Sequence, residues 1–344
     1  MKAKCILLLL LAASLSAHSQ TFNTPVEYLN YIGKESANIS KSTWKYMDAV
    51  AHSKRARKIN NTREALVKTI QAAATKIRGL KDGYKGDVEY RDQVLAYLSF
   101  SENMIQEEYG RVIDMQEVAE QSYDYMEAYI LLQEKINEKF SVEIGKINAA
   151  QDAFGLKYQI QMSGETSELG KKIKLSNEVF DNRSKLYLLF FKVNFTESSM
   201  MKALEAKDLT AVQQNANAMA QYAAEGLESL KIFKPYKNDP MLVNASKKYF
   251  EFAQKESSEY VPKVAAFMML NQKFEDSKKL FDAKSDSQRT KEDIAQFNKL
   301  VDEFNKGINE YNKVNSKYNT DRSTNIQNWE ITADNFVAKH VPAG

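Results

Sequence analysis

The chain has 344 residues, of which 43% are hydrophobic and 27% charged, and its 48 Lys and Arg against 45 Asp and Glu give a formal charge of +3. So even a balance gives no support to a general nucleic-acid binder, and a single cysteine, Cys5, rules out a disulfide framework within the chain. The length suffices for about two domains of ordinary size.

At the N-terminus Lys2 and Lys4 precede an apolar run from Ile6 to Ala13, followed by small and polar residues to Ala17-His18-Ser19. This is the pattern of a secretory signal peptide over residues 1–19, cut after Ser19, with an apolar run too short to span a bilayer. Cys5 precedes the apolar run, so it is not the acylated cysteine of a lipoprotein signal. Cleavage would leave a chain without thiols and close to neutral.

Only 5 prolines and 12 glycines punctuate the sequence, so long stretches carry no helix breaker, and an all-α fold is expected. In the first helix Leu29, Ile32, Ser36, Ile39, Thr43, Tyr46 and Val50 recur at alternating three and four spacing. Leu66, Ile70, Ala73, Ile77 and Leu80 repeat the pattern in the second. A third helix is expected to start at Asp87, with Tyr97, Met104, Tyr109, Val112 and Met115 as its stripe, and a fourth runs from about Ser122 to Gln159. The polar segment from Gln161 to Gly170 is the expected boundary between an N-terminal bundle, 20–162, and a C-terminal bundle, 171–344.

In the second half helices are expected over 171–206, 208–232, 240–271 and 290–336, with Pro262 kinking or splitting the third. Thr290 and Asp293 read as a capping pair, and Ile294, Phe297, Val301, Phe304, Ile308, Tyr311 and Tyr318 keep heptad-like spacing. Gly83-Tyr84-Lys85-Gly86-Asp87 is echoed by Pro235-Tyr236-Lys237-Asn238-Asp239. In the same register Tyr97 meets Tyr249, Phe100 meets Phe252, Glu107 meets Glu259 and Val112 meets Val264, so the second bundle reads as a duplicate of the first.

No catalytic, cofactor-binding or metal site emerges. His52 and His340 lie near opposite ends and read as surface residues, which leaves no histidine triad and no zinc helix. No phosphate-cradling or calcium-loop motif occurs, and acidic pairs such as Glu107-Glu108 read as solvated faces. The basic run from His52 to Lys58 complements the negative end of the first helix, with a phosphate, anionic lipid head or acidic glycan site as the rival reading, and Asn298, Asn305, Asn312 and Asn319 mark a solvent edge, with a sugar or partner-helix site as the rival.

Four phrases, from Thr43 to Lys54, from Ala119 to Tyr129, from Tyr222 to Leu227 and from Lys339 to Pro342, resemble an uncharacterised family of exported surface proteins of spirochaetes and Bacteroidetes. The likeness covers nearly the whole mature chain. It implies residence in the periplasm or at the surface of a Gram-negative bacterium, with no established activity and so no functional residues to carry over.

The expected function is therefore a non-catalytic binding or scaffold module for an unknown protein, glycan or envelope component, without cofactor. A secreted membrane-active protein is one alternative, on the apolar runs from Leu186 to Phe191 and from Val264 to Leu270. A small-ligand carrier or enzyme with a cleft between the halves is the other.

Overall fold

The computed structural model describes residues 21–53, 55–108, 122–162 and 167–343, and among them all regular structure is helical. The signal sequence, the stripe positions Tyr109, Val112 and Met115, Lys54 of the basic run and 163–166 of the expected boundary lie outside the described residues. The helices are α1 (Pro25–His52), α2 (Ala56–Arg78), α3 (Glu89–Asn103), α4 (Tyr123–Lys157), α5 (Glu168–Glu205), α6 (Leu209–Ile232), α7 (Met241–Lys255), α8 (Val261–Asp282) and α9 (Lys291–His340).

The described residues form two compact units. The first takes 21–42, 63–108 and 136–162; the second takes 43–62, 122–135 and 167–343. This division is interleaved and differs from a single cut at 163–170, because α1, α2 and α4 each contribute residues to both units.

In the first unit the α2 stripe lies where its spacing puts it, with Leu66, Ile70, Ala73, Ile77 and Leu80 all buried. The α1 seam is rotated from the expected one: Tyr28, Ile32 and Glu35 are buried there, whereas Ser36 is exposed. Further along α1, in the second unit, Trp44 and Met47 face inward and Val50 outward. Large rings decide this rotation, since they remove far more apolar area from water than Ser36 or Thr43. Buried Glu35 is matched by Lys76 Nζ at 2.8 Å.

In the second unit Phe190 of α5 stacks on Trp329 of α9 at 4.1 Å, and Trp329 Nε1 donates to Ser246 Oγ at 2.9 Å. Gly226 lets α6 and α7 approach, because a Cβ there would lie 2.7 Å from the Phe250 ring. Leu186 and Phe190 belong to this buried core and Phe191 to a smaller cluster with Met126 and Ile130, so the first apolar run is packing surface. No helix among the described residues is long and apolar enough to cross a membrane.

Helix ends follow their local chemistry. Ser167 Oγ accepts from Gly170 N at 3.1 Å and Asp208 Oδ1 from Ala211 N at 2.9 Å, capping α5 and α6. Thr290 and Asp293 close a reciprocal capping box at 3.0 and 2.9 Å. Upstream of Pro262 the helix widens into a π-helical stretch, Glu256–Tyr260, which accommodates the missing backbone donor. A second π stretch, Met104–Glu108, follows α3.

The echoed pentapeptides adopt matching turns. Lys85 and Gly86 have φ of 52° and 90°, and Lys237 and Asn238 have φ of 49° and 59°. Tyr84 O accepts from Asp87 N at 3.0 Å, and Tyr236 O from Asp239 N at 2.9 Å. Each turn leads into a 15-residue helix and then a five-residue π stretch. Each aspartate stands two residues before its helix, where its carboxylate accepts from the amide of Glu89 or Met241 at 3.3 or 3.1 Å.

Both turns are locked from the end of a long helix. Asp87 binds Lys157 Nζ at 2.8 Å and the Tyr158 hydroxyl at 3.1 Å, while Tyr84 packs on Phe154 and Tyr158. Asp239 binds Lys339 Nζ at 2.7 Å and His340 Nε2 at 2.8 Å, while Tyr236 packs on Phe336 and His340. His340 is thus a half-buried locking residue and not the surface residue expected, because Asp239 gives its ring nitrogen an anionic partner.

Candidate functional site: a sealed charge cluster and an open groove

Three elements of the second unit converge on buried charge. Along α5, Phe190, Val193, Glu197 and Met200 share one apolar stripe, and along α7 Ser246, Tyr249, Phe250 and Ala253 lead to Glu256 at the start of the π stretch. Glu197 is 1% exposed and Glu256 0%, so both carboxylates sit at stripe positions where an apolar side chain is the rule. The counter-charge comes from α9: the Arg322 guanidinium lies 3.3 Å from Glu197 Oε1 and pairs with Glu256 Oε1. Tyr249, also fully buried, donates its hydroxyl to Glu197 Oε2 at 2.8 Å.

One cation facing two buried carboxylates is not neutral, and the imbalance is met by a proton. Burial, then hydrogen bonding to and repulsion from Glu197, push the Glu256 carboxyl up to about 9 against the pull of Arg322, so it is protonated at neutral pH. Burial and the neighbouring Glu197 likewise raise the Tyr249 hydroxyl well above its ordinary value. Around the cluster Tyr260 donates to Asn315 at 2.7 Å and Tyr318 to Glu259 at 2.9 Å, with the two tyrosine rings stacked at 5.0 Å. Two carboxylates, an arginine and a tyrosine form an acid–base set, and Glu197, Glu256 and Tyr249 within it are closed off from solvent.

The stacked tyrosines begin a longer series. Tyr260, at the end of the π stretch, and Phe267, Phe274 and Phe281 of α8 recur every seven residues, and Tyr318, Tyr311, Phe304 and Phe297 do so in the opposite direction on α9. Phe267 stacks on Tyr311 at 4.4 Å, Phe274 on Phe304 at 4.2 Å and Phe281 on Phe297 at 4.3 Å. The two helices therefore form an antiparallel hairpin with an aromatic seam. From Phe267 to Lys299 every residue is exposed or only half-buried, so this part of the seam stays open to solvent along its flanks.

Between the same helices lies an open groove of about 550 Å³. Phe267, Leu270 and Val314 line it together with Lys263 and Lys313, and Gly307 lies where a Cβ would come within 2.5 Å of Leu270 Cδ2. The volume falls in the range of small-molecule clefts, roughly 300–1,000 Å³.

Asn298, Asn305, Asn312 and Asn319 are all exposed, on the solvent edge of α9 as expected. His52 ends α1 beside Asp48, at 4.0 Å, and of the basic run Arg57 and Lys58 belong to the first turn of α2, so only part of it sits at the close of α1. No group of three or more His, Cys, Asp or Glu suited to a metal occurs among the described residues. Sequence reasoning missed Glu197, Glu256 and Arg322; the available signal was a carboxylate in register with an apolar stripe. No family model matches the chain, and neither does any curated protein or solved structure.

Proposed function

We propose that this protein is an exported, non-catalytic helical module of two similar bundles, which binds or scaffolds a partner in the periplasm or at the surface of a Gram-negative bacterium. The observation that carries the reading is the separation of chemistry from access. The groups able to move protons, Glu197, Glu256 and Tyr249, are sealed in the core, while the open groove presents an apolar lining beside cations. A binding surface needs the second arrangement, and a catalyst needs the first to be open.

The two-bundle element is supported by the matched turns, helices and π stretches around Asp87 and Asp239. Export is supported by Lys2, Lys4 and the apolar run from Ile6 to Ala13, and residence in the envelope by the likeness to spirochaete and Bacteroidetes surface proteins. Cell fractionation with N-terminal sequencing, followed by crosslinking capture from envelope fractions, tests the reading. An envelope-resident chain beginning after Ser19 with a reproducible partner is expected. An uncut cytoplasmic chain, or a capture free of protein, lipid and glycan, refutes it.

A further inference from the structure

We infer that the groove between α8 and α9 binds a single-chain amphiphile with an anionic head, such as a long-chain carboxylate. This rests on the reading of the protein as a binding module and names the chemistry of one ligand. The lining supplies the apolar half of the argument: Phe267, Leu270 and Val314, beside the Tyr311 ring, offer aliphatic and aromatic surface, which suits a flexible hydrocarbon body. Gly307 is what keeps that lining clear, since a side chain there would meet Leu270 and drive it into the space.

The rim supplies the other half. Three lysines, Lys263, Lys313 and Lys317, face a single carboxylate, Glu310. Lys317 is already engaged, 2.8 Å from Asp321 and over the Tyr318 ring. Lys263 on α8 and Lys313 on α9 make no ion pair or hydrogen bond with any described residue, so both remain available to an anionic head. A neutral chain would gain only the apolar lining, a cationic one would meet repulsion, and a two-chain lipid presents twice the hydrocarbon that one groove of about 550 Å³ accommodates.

The test is titration calorimetry of the mature chain with monomeric dodecanoate, beside dodecanol, dodecyltrimethylammonium and phosphatidylglycerol vesicles. Dodecanoate is expected to bind at least about tenfold more tightly than dodecanol, and the doubly substituted Lys263→Glu, Lys313→Glu protein is expected to lose that preference with unchanged helicity. Gly307→Ala, read by the same titration, is expected to weaken both neutral and anionic chains. Equal affinity for dodecanoate and dodecanol, undiminished binding by the double variant, or binding to the vesicles without binding to monomers would each overturn the inference. Capture of an envelope protein by a chain that ignores dodecanoate would overturn it too while leaving the binding-module reading intact.

Discussion

The segments 83–108 and 235–260 run through the same succession of elements with different chemistry. Both make a left-handed turn, a 15-residue helix and a π stretch, and both fix the turn with an aspartate clamped by a lysine. In the first, Met104 opens the π stretch and Arg63 donates to Ile105 O at 3.2 Å. In the second, Glu256 takes the place of Met104 and draws Arg322 into the core. One geometry therefore hosts an ordinary helix irregularity in one unit and a closed ionic cluster in the other. Backbone form does not dictate the charge it carries.

The comparison breaks most sharply at the arginines. Arg322→Met strands Glu197 and Glu256 in the core and is expected to cost about 3–5 kcal/mol in urea unfolding, whereas Arg63→Met removes a hydrogen bond to a carbonyl and is expected to cost about 1 kcal/mol. Equal losses would mean that the two π stretches are held in the same way.

Glu256 sharpens the contrast through pH. Its folded value of about 9 lies above the ordinary 4.5, so the folded state holds the proton more tightly than the unfolded one. The stability this contributes is complete below about pH 4.5 and is lost as pH rises toward 9. Glu256→Gln is expected to flatten that decline between pH 5 and 9, with no counterpart for Met104. A slope left intact in the variant would assign the proton elsewhere.

At the turns, Gly83 has φ of 57° and a Cβ there would lie 1.9 Å from Asp87 O, so Gly83→Ala is expected to cost about 2–3 kcal/mol in thermal unfolding. Pro235, its counterpart, has φ of −61°, and Pro235→Ala is expected to cost less than about 1 kcal/mol. The aspartates should act alike: Asp87→Asn and Asp239→Asn are each expected to cost about 1–2 kcal/mol at neutral pH. Lys339 and then His340 hold Asp239 down to about 2; Asp87 is held low by Lys157 and Tyr158 although burial alone would raise it. Both contributions are present above the ordinary carboxylate value and lost as pH falls below about 4, so the variants should converge with the parent in acid-unfolding curves.

Much of this frame was legible in the sequence. The α2 stripe, the Thr290–Asp293 box and the break before Pro262 follow from side-chain period, capping chemistry and a missing amide, all of them local. The echoed turn was legible because few residues tolerate its backbone, and Gly86 and Asn238 are among them. What was hidden depends on partners far along the chain. Glu35 reads as a solvent residue until Lys76 is placed beside it, and Arg322 as one of many surface cations until α5 and α7 bring two carboxylates to it. The rotation of α1 escaped because Ser36 and Thr43 complete a period that Tyr28 and Trp44 fill with larger rings. The groove needed the facing helix, although Gly307 within a 50-residue helix was its visible trace.

That helix, α9, runs about 75 Å at 1.5 Å per residue, from the hairpin connector to the lysine and histidine that lock the Asp239 turn. Splaying α8 from α9 at the connector would open the ring pairs in order, Phe281 from Phe297 first and Tyr260 from Tyr318 last, in strides of about 10 Å. Only then would the load reach Arg322. Mechanically the hairpin is a fuse: its rings yield one heptad at a time, and the ionic knot behind them is the last to feel the strain.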